Sequence, residues 1–275
     1  MPRQIPEGLQ LPKIRATLQR MEETIVFYLI ERGQFAHNPK IYEPGAFPEL
    51  AEHEHWNKTW LEWVLKEVES SYAKLGRWHA PDEYPYTPIE ELPAPVLTPM
   101  SHPKLLHPHH INVTSRIFDF YTKEIVPRIT AREGNNVDYN YGSSAVCDCE
   151  VLSALSRRIH YGMFVSESKF LADPAAFIPH IRSRNTDALA DLITKPEVEK
   201  ILLRRIAQKS DVYGQDLDSA ATAAGGVEKR RKINPDDVVT LYEKYVIPLT
   251  KVVEVDYLLE RLDGLSDAEV EELCK

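Results

Sequence analysis

Apolar side chains recur along this chain at three- and four-residue steps, the spacing that gathers one stripe on an α-helix. The longest such run is Ser143–Asp173, which holds no proline and places Val146, Cys149, Leu152, Leu155, Ile159, Met163 and Phe170 on one face. At ~1.5 Å per residue a helix of that length spans roughly 45 Å, enough to cross a domain. Ser143 or Ser144 is placed to cap its start. Upstream, Ile14, Leu18, Met21, Ile25 and Leu29 predict a helix from about Lys13 to Arg32, stopped by Gly33. Trp60, Leu61, Val64, Val68, Tyr72 and Leu75 predict a second, from about Asn57 to Trp78, after a loop through Pro39, Pro44 and Pro48. A third pattern runs from Val113 to Arg132, with a kink or break expected at Pro127. Beyond the central helix the pattern gives short helices over 174–183 and 186–194. Another follows over 196–211, with Pro196, Glu197 and Glu199 in its first turn. Asn234 then caps a helix that starts on Pro235 and reaches about Leu262 with Pro248 inside it. Ser266 and Glu269 form a capping box for a last short helix.

The segments between these helices are equally readable. Residues 1–8 form a loose arm. Residues 80–112 hold Pro81, Pro85, Pro88, Pro93, Pro95, Pro99, Pro103 and Pro108, a density that neither a helix interior nor a central strand tolerates, so this is an extended connection. Residues 214–233 read as a mobile loop. No segment alternates with the period of a strand. The expected fold is all-α: a single domain, residues 1–275, built as a bundle of about ten helices around one long central helix.

Composition narrows the function. The chain carries 42 acidic and 33 basic residues, a net charge of −9, which argues against a nucleic-acid surface; the run Lys229–Lys232 reads as a solvated loop. Cys147 and Cys149 lie two apart on a helix and point to different sides; with Cys274 as the third cysteine, no disulfide framework forms and a reduced, cytoplasmic setting is expected. The first fifteen residues hold no apolar run like that of a signal peptide, and no stretch approaches 18 apolar residues, so no membrane association is expected. His102, His107, His109 and His110 raise the thought of a metal hydrolase in the proline-rich segment. They lack helical i, i+4 spacing and a partnering carboxylate, and no metal site is expected. There is no GxGxxG, P-loop or GxSxG motif, which removes the common nucleotide and acyl-transfer chemistries.

What remains is a set of charges near apolar stripes. Arg158 and Lys169 are eleven residues apart on the central helix, about three turns, so they fall within roughly 20° of one another around its axis, while Arg157 points about 100° away. Arg15 stands in the first turn of the first helix. Thr250 and Glu254 are four apart and share one face of the C-terminal helix, flanked by Ile247, Val253 and Leu258. A glutamate on such a face needs a cation or a polar ligand. With Glu199, these are the candidate site residues.

Several blocks of the sequence closely resemble the all-helical chorismate mutases of fungi and plants. LSRRIHYGMFVSESKF is similar to part of that family's central helix, LPKIRATLQRMEETIVFYLIER to its first helix and YVIPLTKVVEVDYLLERL to its last; APDEYPY and NYGSSAVCDCEVL match as well. The resemblance runs from about residue 9 to residue 263. It implies a homodimer without metal or organic cofactor that converts chorismate to prephenate, the branch step toward phenylalanine and tyrosine. By the same resemblance Arg15, Arg158 and Lys169 are the substrate-binding cations, and Glu199, Thr250 and Glu254 the polar groups completing the pocket. Lys195 stands where some relatives carry asparagine. The resemblance also implies an effector site for tryptophan or tyrosine between subunits, with Arg77, Asn140, Gly142 and Ser143 at matching positions. Gly76 and Val146 replace an arginine and a threonine of relatives that respond to tyrosine. A catalytically inactive helical relative, acting as an interaction or regulatory protein, is the alternative.

Overall fold

The computed structural model describes residues 5–131, 136–215 and 231–274. α1 (Leu11–Arg32) is followed by α2 (Pro48–Glu54) and α3 (Trp60–Lys74). Next, α4 (Thr114–Phe120) joins α5 (Val126–Ile129) through a π-helical turn, Tyr121–Ile125. α6 (Tyr141–His160) runs on into α7 (Gly162–Ala172), and α8 (Pro174–Arg182), α9 (Thr186–Ile193) and α10 (Pro196–Tyr213) follow. α11 (Pro235–Leu241) passes through a second π-helical turn, Tyr242–Val246, into α12 (Ile247–Glu260), and α13 (Asp267–Leu273) ends the described chain. With each continuous rod counted once, the described residues form ten helices. They contain no strand, only an isolated bridge between Gln215 and Arg231. The fold is all-α, as the periodicity predicts.

α6 is buried on most of its circumference. Ala145, Val151, Leu152, Leu155 and Ile159 are fully enclosed by the main core, which α1, α3, α4, α11 and α12 complete. A second apolar cluster, centred on Phe170, Phe177, Leu189 and Leu258, closes the far end with α7, α8, α9 and α12. Polar anchors fix the rest. The Arg32 Nε donates to Asp148 Oδ1 at 2.8 Å, and both side chains are completely buried. Tyr121 and Tyr42 donate to the same carboxylate at 2.7 and 2.6 Å. The proline-rich connection is pinned by Glu69, whose carboxylate accepts the backbone N–H groups of Tyr86 and Thr87, each at 2.7 Å.

Several expectations are corrected. The central helix begins at Tyr141, so Ser143 and Ser144 lie inside its first turn and cap nothing; Ser144 Oγ instead accepts from Asn38 at 3.1 Å. It pauses at Tyr161 rather than running unbroken to Asp173. Pro127 does not break its helix, and the helix through Pro248 runs on as the sequence predicts. Proline lacks an N–H, and its ring collides with the carbonyl four residues back. A wider π turn immediately before each proline absorbs that conflict, and the rod continues. The segment read as a loop through Pro48 contains α2, because proline is well accepted in a first helical turn. The second helix stops at Lys74. Leu75 is 81% exposed rather than part of the stripe, and Gly76 takes the left-handed conformation (φ +79°) that ends helices. Most of the expected mobile loop, residues 216–230, and the expected arm up to residue 4 lie outside the described residues. The histidines of the proline-rich segment go separate ways: His107 to the Asp263 carbonyl, His110 toward Glu260 and His109 beside Tyr84.

His160 joins these elements. Its Nδ1–H donates to the Ser156 carbonyl at 2.8 Å, leaving Nε2 to accept the Val113 N–H at 3.1 Å, and its ring stacks on Tyr84 at 4.1 Å. Both nitrogens are therefore committed in the neutral form. Burial pushes its pKa down from 6.5 to about 4. The unfolded chain takes up this proton near pH 6.5 and the folded chain does not, so stability is lost as pH falls from 6.5 toward 4, approaching about 3 kcal/mol from this group. Imidazole resonances of His160 are expected to remain those of the neutral ring at pH 5; a midpoint above pH 6 would show that the folded structure accepts the charge.

Candidate active site

The six residues singled out from sequence line one cavity. Arg15 comes from α1, Arg158 and Lys169 from α6 and α7, Glu199 from the first turn of α10, and Thr250 and Glu254 from α12. Leu18, Val165, Ile193, Val198 and Leu202 supply apolar walls. The placement follows from helix geometry. Arg158, Gly162, Val165 and Lys169 are spaced 4, 3 and 4 residues apart, so they make one stripe. That stripe faces the Thr250/Glu254 stripe of α12. On the other wall Glu22, two turns beyond Arg15, accepts from Arg205 at 2.6 and 2.8 Å and from Lys209 at 3.3 Å, which clamps α10 onto α1.

Arg158 is the sharpest feature. It is 5% exposed and has no carboxylate partner among the described residues. Among the described residues its Nε is buried without a hydrogen-bond acceptor, and its one hydrogen bond is a long 3.5 Å approach to Thr250 Oγ1. Thr250 is itself fixed, its hydroxyl donating to the Val246 carbonyl at 2.6 Å. A guanidinium held this way is short of an anion. Arg157, the next residue, is on another side of the helix and is satisfied there by Asp82 at 2.6 Å.

Lys169 and Glu254 perturb one another. Burial lowers the Lys169 pKa; the nearby charges of Lys195 and Arg15 push the same way, and Glu254 opposes them. The Lys169 ammonium donates to the Ile193 carbonyl at the end of α9. Burial drives the Glu254 carboxyl up from 4.5 to about 7, helped by Glu199, while Lys169, Arg158 and Lys251 pull it back. The carboxyl therefore exchanges its proton in the neutral range, where it can act as a hydrogen-bond donor.

Sequence reasoning missed Lys251. It lines the cavity and pairs with Glu199 at 2.8 Å, joining the start of α10 to α12. No spacing rule links residues 199 and 251, and only tertiary packing reveals the pair. Lys195 lies on the rim as an exposed lysine at the N-terminus of α10.

The residues matched to an effector site do not meet within one chain. Arg77 donates to Ser153 at 3.0 Å and pairs with Glu83 at 3.1 Å. Asn140, Gly142 and Ser143 stand at the start of the helix that carries Ser153, about 15–20 Å from it at ~1.5 Å per residue.

The family model for chorismate mutase type II matches residues 140–255. The chain is 42% identical over 258 residues to the chorismate mutase of Schizosaccharomyces pombe, covering 94% of this chain and 98% of that protein. It is 41% identical over 259 residues to the chloroplastic chorismate mutase 1 of Petunia hybrida, covering 94% and 77%. This chain belongs to the chorismate mutase family. Two solved structures agree. The Candida albicans chorismate mutase in complex with L-Trp superposes with a TM-score of 0.86 at 38% identity, over 96% of each chain. AtCM1 with tyrosine bound in its allosteric site gives a TM-score of 0.80 at 40% identity, over 94% of this chain and 99% of that one. Arg15, Arg158, Lys169, Glu199, Lys251 and Glu254 reach the cavity from four separate helical stretches of the sequence, and Thr194 and Lys195 line it from the connection between α9 and α10.

Proposed function

We propose that this chain is a chorismate mutase, converting chorismate to prephenate in the cavity formed by Arg15, Arg158, Lys169, Glu199, Thr250 and Glu254. The observation that carries this reading is the buried, unpaired Arg158 guanidinium beside a carboxyl that titrates near neutrality. Chorismate is a dicarboxylate, and a guanidinium grips a carboxylate through two parallel hydrogen bonds. Arg158 and Arg15 hold the two carboxylates and fold the side chain over the ring. The rearrangement is intramolecular: one C–O bond breaks as one C–C bond forms, with no proton transfer and no nucleophile. The protein contributes the reactive conformer and stabilises the charge gathering on the ether oxygen. Lys169 donates to that oxygen, and Glu254 donates a second hydrogen bond when protonated. Glu199, held by Lys251, meets the ring hydroxyl. Loss of chorismate absorbance with formation of prephenate on adding the purified protein tests the reading directly.

The setting we propose is a cytoplasmic homodimer. Arg77 of one chain would then face Asn140, Gly142 and Ser143 of a second, completing a site for tryptophan or tyrosine. Effectors bound in the AtCM1 and Candida albicans structures support regulation of this kind.

Arg158→Ala is expected to cost about 3–5 kcal/mol of transition-state binding, roughly 150- to 4,500-fold in kcat/KM, because a desolvated carboxylate loses its partner. Arg157→Ala, which breaks a contact with Asp82 away from the cavity, is expected to be far milder. Equal losses in the two variants would mean that the wrong arginine has been assigned.

Since protonated Glu254 is the donor, activity should decline as pH rises through about 7. Glu254→Gln carries a permanent donor and is expected to flatten that alkaline limb. A limb unchanged in the glutamine variant would remove Glu254 from this role.

Tyrosine is expected to inhibit weakly or not at all. Val146, half exposed, offers a phenolic hydroxyl no partner, a loss of roughly 1–3 kcal/mol or about 5- to 150-fold in affinity. The left-handed backbone at Gly76 also disfavours the arginine that tyrosine-responsive relatives place there. Tryptophan, without a hydroxyl, is less affected. Initial rates at sub-saturating chorismate decide the matter: strong inhibition at micromolar tyrosine would refute the argument.

A further inference from the structure

Gly162 lies on the same stripe as Arg158 and Lys169, four residues after the one and seven before the other. It is buried at the pause between α6 and α7, where α12 crosses. A Cβ at this position would lie 2.8 Å from Thr250 Cγ2, 3.0 Å from Glu254 Cγ and 3.3 Å from the Thr250 carbonyl oxygen. The first distance is shorter than side-chain carbons tolerate. The neighbours cannot swing aside cheaply: the Thr250 methyl is held by the hydroxyl bond to Val246 at 2.6 Å, and Glu254 Cγ is the stem of a buried side chain. Across the interface Ser166 donates to the Glu254 carbonyl at 3.0 Å, and Arg261 grips Glu167 at 2.6 and 3.0 Å, so the end of α12 is tied to α7 one turn beyond the glycine.

We propose that Gly162 is a positioning residue for the reaction: its missing side chain sets the depth at which α12 inserts, and thereby the distance of Thr250 and Glu254 from Arg158 and Lys169. The backbone does not call for glycine there, since Gly162 is not among the residues with positive φ and alanine is the better helix former. The close approach is what requires it. The inference rests on the assignment of those four side chains to chorismate, and it adds a residue that touches no substrate.

The test is a double-mutant cycle of Gly162→Ala and Thr250→Ser, with kcat, KM and Tm measured for all four proteins. Thr250→Ser keeps the hydroxyl and deletes the methyl nearest the new Cβ. Gly162→Ala alone is expected to lower kcat on the order of 100-fold, the usual consequence of displacing catalytic groups by about 1 Å. KM should change less than threefold, since the carboxylate grip of Arg15 and Arg158 persists. In the Thr250→Ser background the same substitution should cost at most tenfold, and Tm should recover with it. If Gly162→Ala does not fold, a folded and active double variant supports the proposal equally, and a double variant that also fails to fold overturns it. Gly162→Ala within twofold of the parent, or an equal loss in both backgrounds, overturns it as well. A parent protein that leaves chorismate unchanged would instead refute the functional reading, while the Tm cycle would still report on the close approach.

Discussion

The structure hangs on a buried ion pair. Arg32 and Asp148 are both completely enclosed, and every strong donor or acceptor they carry is used. The guanidinium also donates to the Ala36 and His37 carbonyls, each at 3.0 Å, while two tyrosines donate to the carboxylate. Removing either partner strands a charge away from water, at a cost of about 3–5 kcal/mol. More important than its strength is its geometry. The pair ties the end of α1, the chain after it and the π turn before Pro127 to a single residue of α6, which fixes the rotation of α6 about its own axis. Ten residues on, that rotation aims Arg158 into the cavity and Arg157 out of it.

With α6 locked, the local charge of the cavity outweighs that of the whole protein. A net charge of −9 would discourage a dicarboxylate at long range, yet the Debye length at physiological salt is only about 8 Å. Within that distance the cavity presents Arg15, Arg158, Lys169, Lys195 and Lys251 against two carboxyls, one of them able to hold its proton near neutrality. Screening separates the acidic surface from the basic site.

Most of the helices were legible in the sequence because they are written in short-range spacing, and so were the shared faces of Arg158 with Lys169 and of Thr250 with Glu254, whereas the roles of Arg15 and Glu199 rested on the family resemblance. A stripe at three and four residues, or two cations eleven apart, depends only on helical geometry. The missing pieces depend on what lies across an interface. Lys251 acquires its meaning from Glu199, 52 positions away, and Gly162 from the α12 side chains it admits. The prolines misled for a related reason. Pro127 carries the local signature of a break, but a π turn relieves the clash, and burial of Tyr121 on that turn makes the continued rod worthwhile. Pro48 carries the signature of a loop, and the tilted contact of Phe47 with Trp60 and its edge-to-face contact with Tyr141 hold the helix it begins.

The contact between α7 and α12 holds a structural ion pair beside two titratable groups that perturb one another. Glu167 and Arg261 meet there with two short hydrogen bonds; Tyr257 adds a third at 2.6 Å, and the guanidinium rests on the Phe170 ring at 4.5 Å. Nothing is left over for a ligand, and the pair serves as an anchor. Two residues along α7, Lys169 faces Glu254 with its charge disfavoured by burial and by neighbouring cations, while burial also raises the pKa of the glutamate. This second pair is incomplete as it stands. A substrate whose ether oxygen gains negative charge in the transition state would draw a hydrogen bond from each member, and both bonds would strengthen as the reaction proceeds. The satisfied pair holds the helices rigid so that the unsatisfied one can wait at the right distance.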